Sequence, residues 1–253
     1  MKRLVLAVAL TLLGAGCATR IPPPRSAADT ARPPEAAWEN ALSRFVDDAG
    51  RIDFRGLAKS SSDLDAFLAW VARVSPDSDP TSFPTPQSKL AYWINAYNAI
   101  AMYDVIQSNF PPDLNGVKVR FFYKNRFELG GRSISLYALE NRVIRPLGDP
   151  RIHFALNCMA RGCPRLPREP FRAAELDAQL ERETNEFFRE DRNVQLDPTG
   201  RTVRLSQILQ FYTADFLKVA PSLIDYVNRY RDEKVPASWK VEFIPYDWTL
   251  NQR

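Results

Sequence analysis

The chain has 253 residues, 45% hydrophobic and 25% charged, which is the balance of a folded globular protein and not of a disordered one. Its formal charge of +4 is too small and too scattered to suit a nucleic-acid surface. One histidine and only 10 glycines leave almost no room for multi-histidine metal centres or glycine-rich phosphate loops.

The N-terminus reads as an export signal. Met1-Lys2-Arg3 is a short basic start, Leu4 to Leu13 is apolar, and Gly14, Ala15 and Gly16 precede Cys17. The apolar run is shorter than the roughly 20 residues needed to cross a bilayer. Small residues ending at a cysteine resemble a bacterial lipoprotein signal, in which residues 1–16 are removed and Cys17 is lipidated. A plain cleaved signal with a chance cysteine is the competing reading. Ala18 in place of Asp favours the outer membrane by the same resemblance. The expected partners are therefore a membrane, held through the lipid on Cys17, and an envelope protein or small-molecule ligand. Residues 17–37 carry five of the 20 prolines and little that can pack, so a spacer is expected there. The folded body is expected over residues 38–253.

Hydrophobic spacing predicts helices over residues 38–46 and 63–74, with a turn and a short extended piece at Gly50 to Phe54 between them. The strongest helical pattern runs over 88–110, through Leu90, Trp93, Ile94, Tyr97, Ala101 and Val105, and Pro111-Pro112 ends it. Residues 117–136 alternate around Gly130-Gly131, as a hairpin does. A short helix follows over 136–144 with Ser135 as its cap, and then a compact apolar stretch, 151–157, that reads as a buried strand. An amphipathic helix is expected over 175–190. A second hairpin turns at Asp197-Pro198-Thr199-Gly200, and helices over 206–217 and 221–230 lead to an extended tail at 241–244. Helices and hairpins alternate without a βαβ rhythm, which predicts one α+β domain of helices and antiparallel hairpins.

Three segments hold the candidate chemistry. Residues 151–164 contain the only histidine, His153, and both cysteines left once Cys17 is used, Cys158 and Cys163. These residues admit a disulfide closing a small loop, a Cys163 nucleophile with His153 as its base, a zinc site lacking an evident fourth ligand, or a structural histidine. Arg161 and Arg165 flank the loop as candidate anion-binding groups. In the 88–110 helix, Asn98 falls on the apolar face and must find a partner, because a buried unpaired amide costs about 1–3 kcal/mol. Asn95 lies one turn back. Either amide could orient His153 or donate to an oxyanion. At the end of the chain, Tyr246-Asp247-Trp248 is too aromatic to be left in solvent, and Asp247 is a candidate to orient His153 as a third catalytic member, with turn capping as its other reading.

YWINAYNAI, RIHFALNC followed by GCPRL, and the closing YDWTLN resemble signature blocks of the domain of unknown function 547 family. GRIDFRGLAKSSSDLDAFLAWV and RFELGGRSISLYALEN are similar to that family as well, so the resemblance spans roughly residues 38–251. The family name carries no activity. It implies site positions at Asn95, Asn98, His153, Cys158, Cys163, Asp247 and Asn251. Neither a cofactor nor a metal is expected. A papain-like or transglutaminase-like thiol fold is one distant possibility, although such folds place the cysteine first, at a helix start, and here the histidine comes first. Two functions remain open: ligand binding or scaffolding in the cell envelope, or thiol-dependent hydrolysis or acyl transfer by Cys163 and His153.

Overall fold

The computed structural model describes residues 18–24 and 34–253. The signal segment, Cys17 and residues 25–33 of the expected spacer lie outside the described residues. Within that spacer a two-residue strand, β1 (Thr19–Arg20), already pairs with the folded body.

After β1 the described residues form α1 (Pro34–Phe45), α2 (Phe54–Lys59), α3 (Ser62–Val71) and α4 (Pro86–Gln107). In α1, Trp38, Ala41, Leu42 and Phe45 recur every three or four residues and are buried as one stripe. Six-residue α2 left no periodic signal. It starts where the Asp53 carboxylate accepts a hydrogen bond from the Gly56 N–H. Helix α4 is fixed at both ends. The Thr85 hydroxyl accepts from the Ser88 N–H and the Ser88 hydroxyl oxygen accepts from the Thr85 N–H, with Pro86 in the first turn. At the far end Asn109 and Phe110 adopt left-handed φ of 58° and 54°, and the Phe110 N–H closes on the Val105 carbonyl. Every residue from Leu90 to Met102 is buried, so α4 is a central helix wrapped by the rest of the fold.

Strands β2 (Asn125–Leu129) and β3 (Arg132–Ile134) form the first hairpin, turning at Gly130 and Gly131 with φ of 55° and 76°. β1 adds to β2 in parallel. The preceding residues, expected to extend this hairpin, instead form a wide helical turn at Arg120–Lys124. Helix α5 (Leu136–Leu139) is capped by Ser135 and runs on through turns at Glu140–Ile144 and Arg145–Leu147. The expected strand over 151–157 is not a strand: Pro150–Phe154 is a tight helical turn. Pro150 presets its φ, and the Asp149 carboxylate accepts from the Arg151 N–H.

The second half holds α6 (Leu176–Arg189), β4 (Val194–Asp197), β5 (Thr202–Ser206), α7 (Gln207–Phe211), α8 (Thr213–Phe216), α9 (Leu223–Val227) and β6 (Lys240–Ile244). β4 and β5 form the expected hairpin. The tail strand β6 then joins β5 in parallel, which its local pattern did not reveal. Helices intermixed with two small mixed sheets make this an α+β fold. Among the described residues there are two hydrophobic clusters, one around α4 and one around β5 and α6 to α9. Ile152 and Leu156 belong to the first and Phe154 to the second, so residues 150–156 run along the seam between them.

Asp104 near the end of α4 ties the helix to the first hairpin by accepting a hydrogen bond from the Asn125 amide at 2.7 Å. Its second carboxyl oxygen has no partner, and burial pushes its pKa up from 3.8 to about 7, with the Asn125 hydrogen bond acting in the opposite direction. The folded state thus holds a proton that the unfolded chain releases near pH 4, and wild-type stability falls as pH rises from about 4 to 7. Asp104→Asn has no such proton to lose. Measured by chemical denaturation across pH 4 to 8, the stability difference should move in favour of the variant by about 2–4 kcal/mol.

Candidate functional site

The centre of the site is the loop from Asn157 to Pro164. Its base is closed by one side chain: the Asn157 amide donates to the Pro164 carbonyl at 2.7 Å, while its oxygen accepts from the Met159 N–H at 2.7 Å. Met159 sits in the left-handed region with φ 72°, a conformation that non-glycine residues hold only when their surroundings enforce it. Asn98 fastens the loop to α4. Its amide donates to the Ala155 carbonyl at 3.0 Å and its oxygen accepts from the Asn157 N–H at 2.8 Å. The C-terminal tail clamps the opposite side, where the Gly162 N–H donates to the Asp247 carbonyl, the Arg161 N–H to the Thr249 carbonyl, and the Asn251 N–H to the Met159 carbonyl. A Cβ on Gly162 would lie 2.9 Å from both the Asp247 nitrogen and the Tyr246 ring, so only glycine lets the tail come this close.

The clamp brings both cysteines together as free thiols, with their sulfurs 2.8 Å apart. The Cys158 N–H donates to the Cys163 sulfur at 3.0 Å. The Tyr246 hydroxyl lies 3.0 Å from the Cys163 sulfur and 3.1 Å from that of Cys158. Burial alone would raise the Cys163 thiol, but hydrogen bonds from Cys158, Tyr246 and backbone amides outweigh it and hold Cys163 below its ordinary value. Cys158 is pushed up, chiefly by the hydrogen bond to Cys163 and by burial. The Cys158 N–H aimed at the Cys163 sulfur makes Cys163 the more readily ionised of the two.

His153 lies beside this centre and faces a different partner. Its ring stacks on Tyr212 with centroids 3.8 Å apart, and Phe216 meets it edge-on. Nε2 is 3.0 Å from the Asp215 carboxylate, which also binds Arg145 at 2.7 Å and Lys218 at 2.9 Å. Hydrogen bonds from His153, Arg145 and Lys218 hold Asp215 far below the carboxylate range despite its partial burial. Burial lowers the His153 pKa, with Asp215 opposing it. A neutral ring that donates from Nε2 to an ionised carboxylate keeps its lone pair on Nδ1. Nearby, Tyr97 and Tyr212 both donate to the Glu140 carboxylate, and burial keeps both phenols protonated.

The sulfurs, His153, Tyr97, Tyr212, Glu140, Arg145 and Tyr246 line a cavity of about 320 Å³ at the seam of the two cores. Cys158, Cys163 and His153 open onto it. Tyr97, Phe122, Tyr123, Tyr137, Phe211, Tyr212, Tyr246 and Trp248 supply aromatic walls, and Lys118, Arg145 and Glu140 supply charge. The Lys118 ammonium rests 4.3 Å from the Trp248 ring centroid and has no carboxylate partner among the described residues.

Of the residues expected at the site, His153, Cys158 and Cys163 do meet at the cavity, whereas the others serve the scaffold. Asn98 and Asn95 hydrogen-bond to neither the imidazole nor a sulfur. Asn95 accepts from the Trp38 indole and the Phe171 N–H and donates to the Phe171 carbonyl. Asp247 does not orient His153: its side chain is exposed and accepts from the Thr249 N–H, and Asp215 holds the ring in its place. Arg165 makes two hydrogen bonds to the buried Glu183, and Arg161 is exposed, so neither lines the cavity, whose cations are Lys118 and Arg145. Asn251 donates to the Gly50 carbonyl. Cys163 lies in a loop and not at a helix start, unlike the papain-like arrangement. Among the described residues no cluster of three or more His, Cys, Asp or Glu side chains is arranged to hold a metal ion. Asp215 lies 62 residues from its histidine and left no local mark in the sequence. Tyr246 stands beside Asp247 in the tail motif, and its phenol, not that carboxylate, reaches the sulfurs.

Residues 81–188 match the model of the family described as protein of unknown function, DUF547. The matched segment contains α4, the first hairpin, His153, both cysteines and nearly all of α6. Tyr212, Asp215 and Tyr246 lie beyond it. No curated protein and no solved structure matches the chain.

The Tyr246 hydroxyl is the side-chain oxygen that serves both sulfurs. Tyr246→Phe removes a donor that stabilises the Cys163 thiolate, so the thiol pKa must rise. The pH midpoint for iodoacetamide alkylation of Cys163, read by peptide mass spectrometry, should move up by about one unit, with roughly tenfold less thiolate at neutral pH. An unchanged midpoint would remove Tyr246 from the site.

Proposed function

We propose that this chain is a cell-envelope lipoprotein, anchored in the outer membrane through Cys17 and facing the periplasm, whose cavity binds a small molecule with a flat apolar body and one acidic group. The observation that carries the binding reading is the cavity itself. Its volume of about 320 Å³ lies at the lower end of the range for small-molecule sites, roughly 300–1,000 Å³. Aromatic rings dominate its walls and suit a planar apolar ligand. Lys118, half-buried on the Trp248 ring, is placed to meet an anionic group. The anchoring rests on the sequence from Met1 to Cys17. No helix among the described residues is long and apolar enough to cross a membrane.

A second reading, thiol-dependent hydrolysis or acyl transfer, is favoured by one observation: Cys163 is the buried sulfur with the most donors aimed at it. His153 could act as its base only through Nδ1, because Nε2 is engaged by Asp215.

Two measurements test the first reading. 1-Anilinonaphthalene-8-sulfonate, an aromatic anion, should bind at a single saturable site, and Lys118→Ala should weaken it about fivefold, or ~1 kcal/mol. The uncharged N-phenyl-1-naphthylamine should bind both proteins equally. If neither probe saturates, or if Lys118→Ala leaves the anion's affinity unchanged, the cavity does not select the proposed ligand. Separately, cells fed labelled palmitate should label the wild-type chain and leave Cys17→Ser unlabelled. Equal labelling of the two would remove the anchor.

A further inference from the structure

The two thiols do more than line a binding cavity. We infer that Cys158 and Cys163 form a thiol–disulfide exchange centre, in which Cys163 attacks a small disulfide entering the cavity and Cys158 resolves the mixed disulfide. The inference needs the cavity as an opening and does not depend on the ligand proposed for it.

Four observations lead there. The sulfurs are already in contact at 2.8 Å, so closing a bond of about 2.05 Å requires less than about 1 Å of movement. The strained Met159 backbone and the Asn157 brace hold the loop in the conformation that makes this contact. The donors are unequal: the Cys158 N–H points at the Cys163 sulfur, so the charge settles on Cys163. The Tyr246 hydroxyl reaches both sulfurs and can follow the charge from one to the other. A scaffold that needed only a buried cysteine pair would not need a phenol shared between them beside an open cavity.

The chemistry balances. The Cys163 thiolate attacks one sulfur of a disulfide RS–SR. A Cys163–S–SR bond forms, the RS–SR bond breaks, and RS⁻ leaves. Cys158 then loses its proton to solvent and attacks the Cys163 sulfur. The Cys158–Cys163 bond forms and the second RS⁻ departs. The protein dithiol is oxidised by two electrons, and the incoming disulfide is reduced to two thiolates with release of one proton. The same couple runs in reverse towards a thiol, with the direction set by the reduction potential of the partner.

The test uses the full chain carrying Cys17→Ser, so that only this pair of thiols reacts. The protein is reduced, freed of reductant and treated with one equivalent of 5,5′-dithiobis(2-nitrobenzoate). The expected product is an intact chain two hydrogens lighter with no aryl adduct. Adding Cys158→Ser should stop the reaction at one aryl group, retained on Cys163. Adding Cys163→Ser should slow the first step by at least about tenfold, because the thiolate is lost. An otherwise wild-type pair that stays unreacted or retains aryl adducts would overturn the inference, and that reading needs no substitution in the loop. A Cys163→Ser protein that reacts as fast as Cys158→Ser would overturn the assignment of the attacking sulfur.

Discussion

The site depends on one buried amide. Asn98 stands in the middle of α4, in a stretch with no exposed residue, and gives both ends of its side chain to the backbone just before the cysteine loop. An amide inside a hydrocarbon core is tolerated only when it is fully paired. The requirement runs in both directions. The Ala155 carbonyl and the Asn157 N–H belong to a segment without a sheet ladder or a regular helix, so they need Asn98 as much as it needs them. The central buried helix is thereby coupled to a segment without regular structure.

From that anchor the remaining constraints follow in sequence. Asn157 closes the loop, Met159 accepts a strained backbone, and Gly162 admits the tail at a distance no side chain would allow. The tail then sets a phenol against both sulfurs. On the other wall Asp215 gathers an imidazole, a guanidinium and an ammonium, and the histidine stays neutral among aromatic rings. The sulfur pair and the imidazole face the same space from different cores and are organised by separate partners. Their separate organisation favours a cavity with two chemical ends over a single Cys–His dyad.

Much of this was legible in the sequence, for physical reasons that differ by residue. Helices α1, α3, α4 and α6 announce themselves by apolar spacing, and both hairpins by their turn residues. Asn98 could be picked out because a polar residue on an apolar face demands a partner. The 151–157 stretch misled because a short apolar run looks the same whether it becomes a strand or a buried helical turn. Pro150, with Asp149 before it, was the signal that decides for the turn. The parallel pairing of β6 on β5 and the Asp215–His153 bond join residues far apart in the chain, and nothing local records them. In the tail the general expectation of a buried aromatic end was sound, but the residue that matters is Tyr246 and not Asp247. A carboxylate at a turn most often serves its own backbone, as Asp247 does.

The tail's place in the site has a consequence for the order of folding. Tyr246, the carbonyl that receives the Gly162 N–H and the bridge from Leu250 to Ala160 all belong to residues 246–250. The Tyr246 hydroxyl meets the Cys163 sulfur across a sequence separation of 83 residues. A contact that distant forms only after a long loop has closed, whereas the Asn157 brace of the cysteine loop is local. The loop can therefore take its bend before its sulfurs receive the phenol, and a cut in the connecting chain that frees the tail leaves the two cysteines without it.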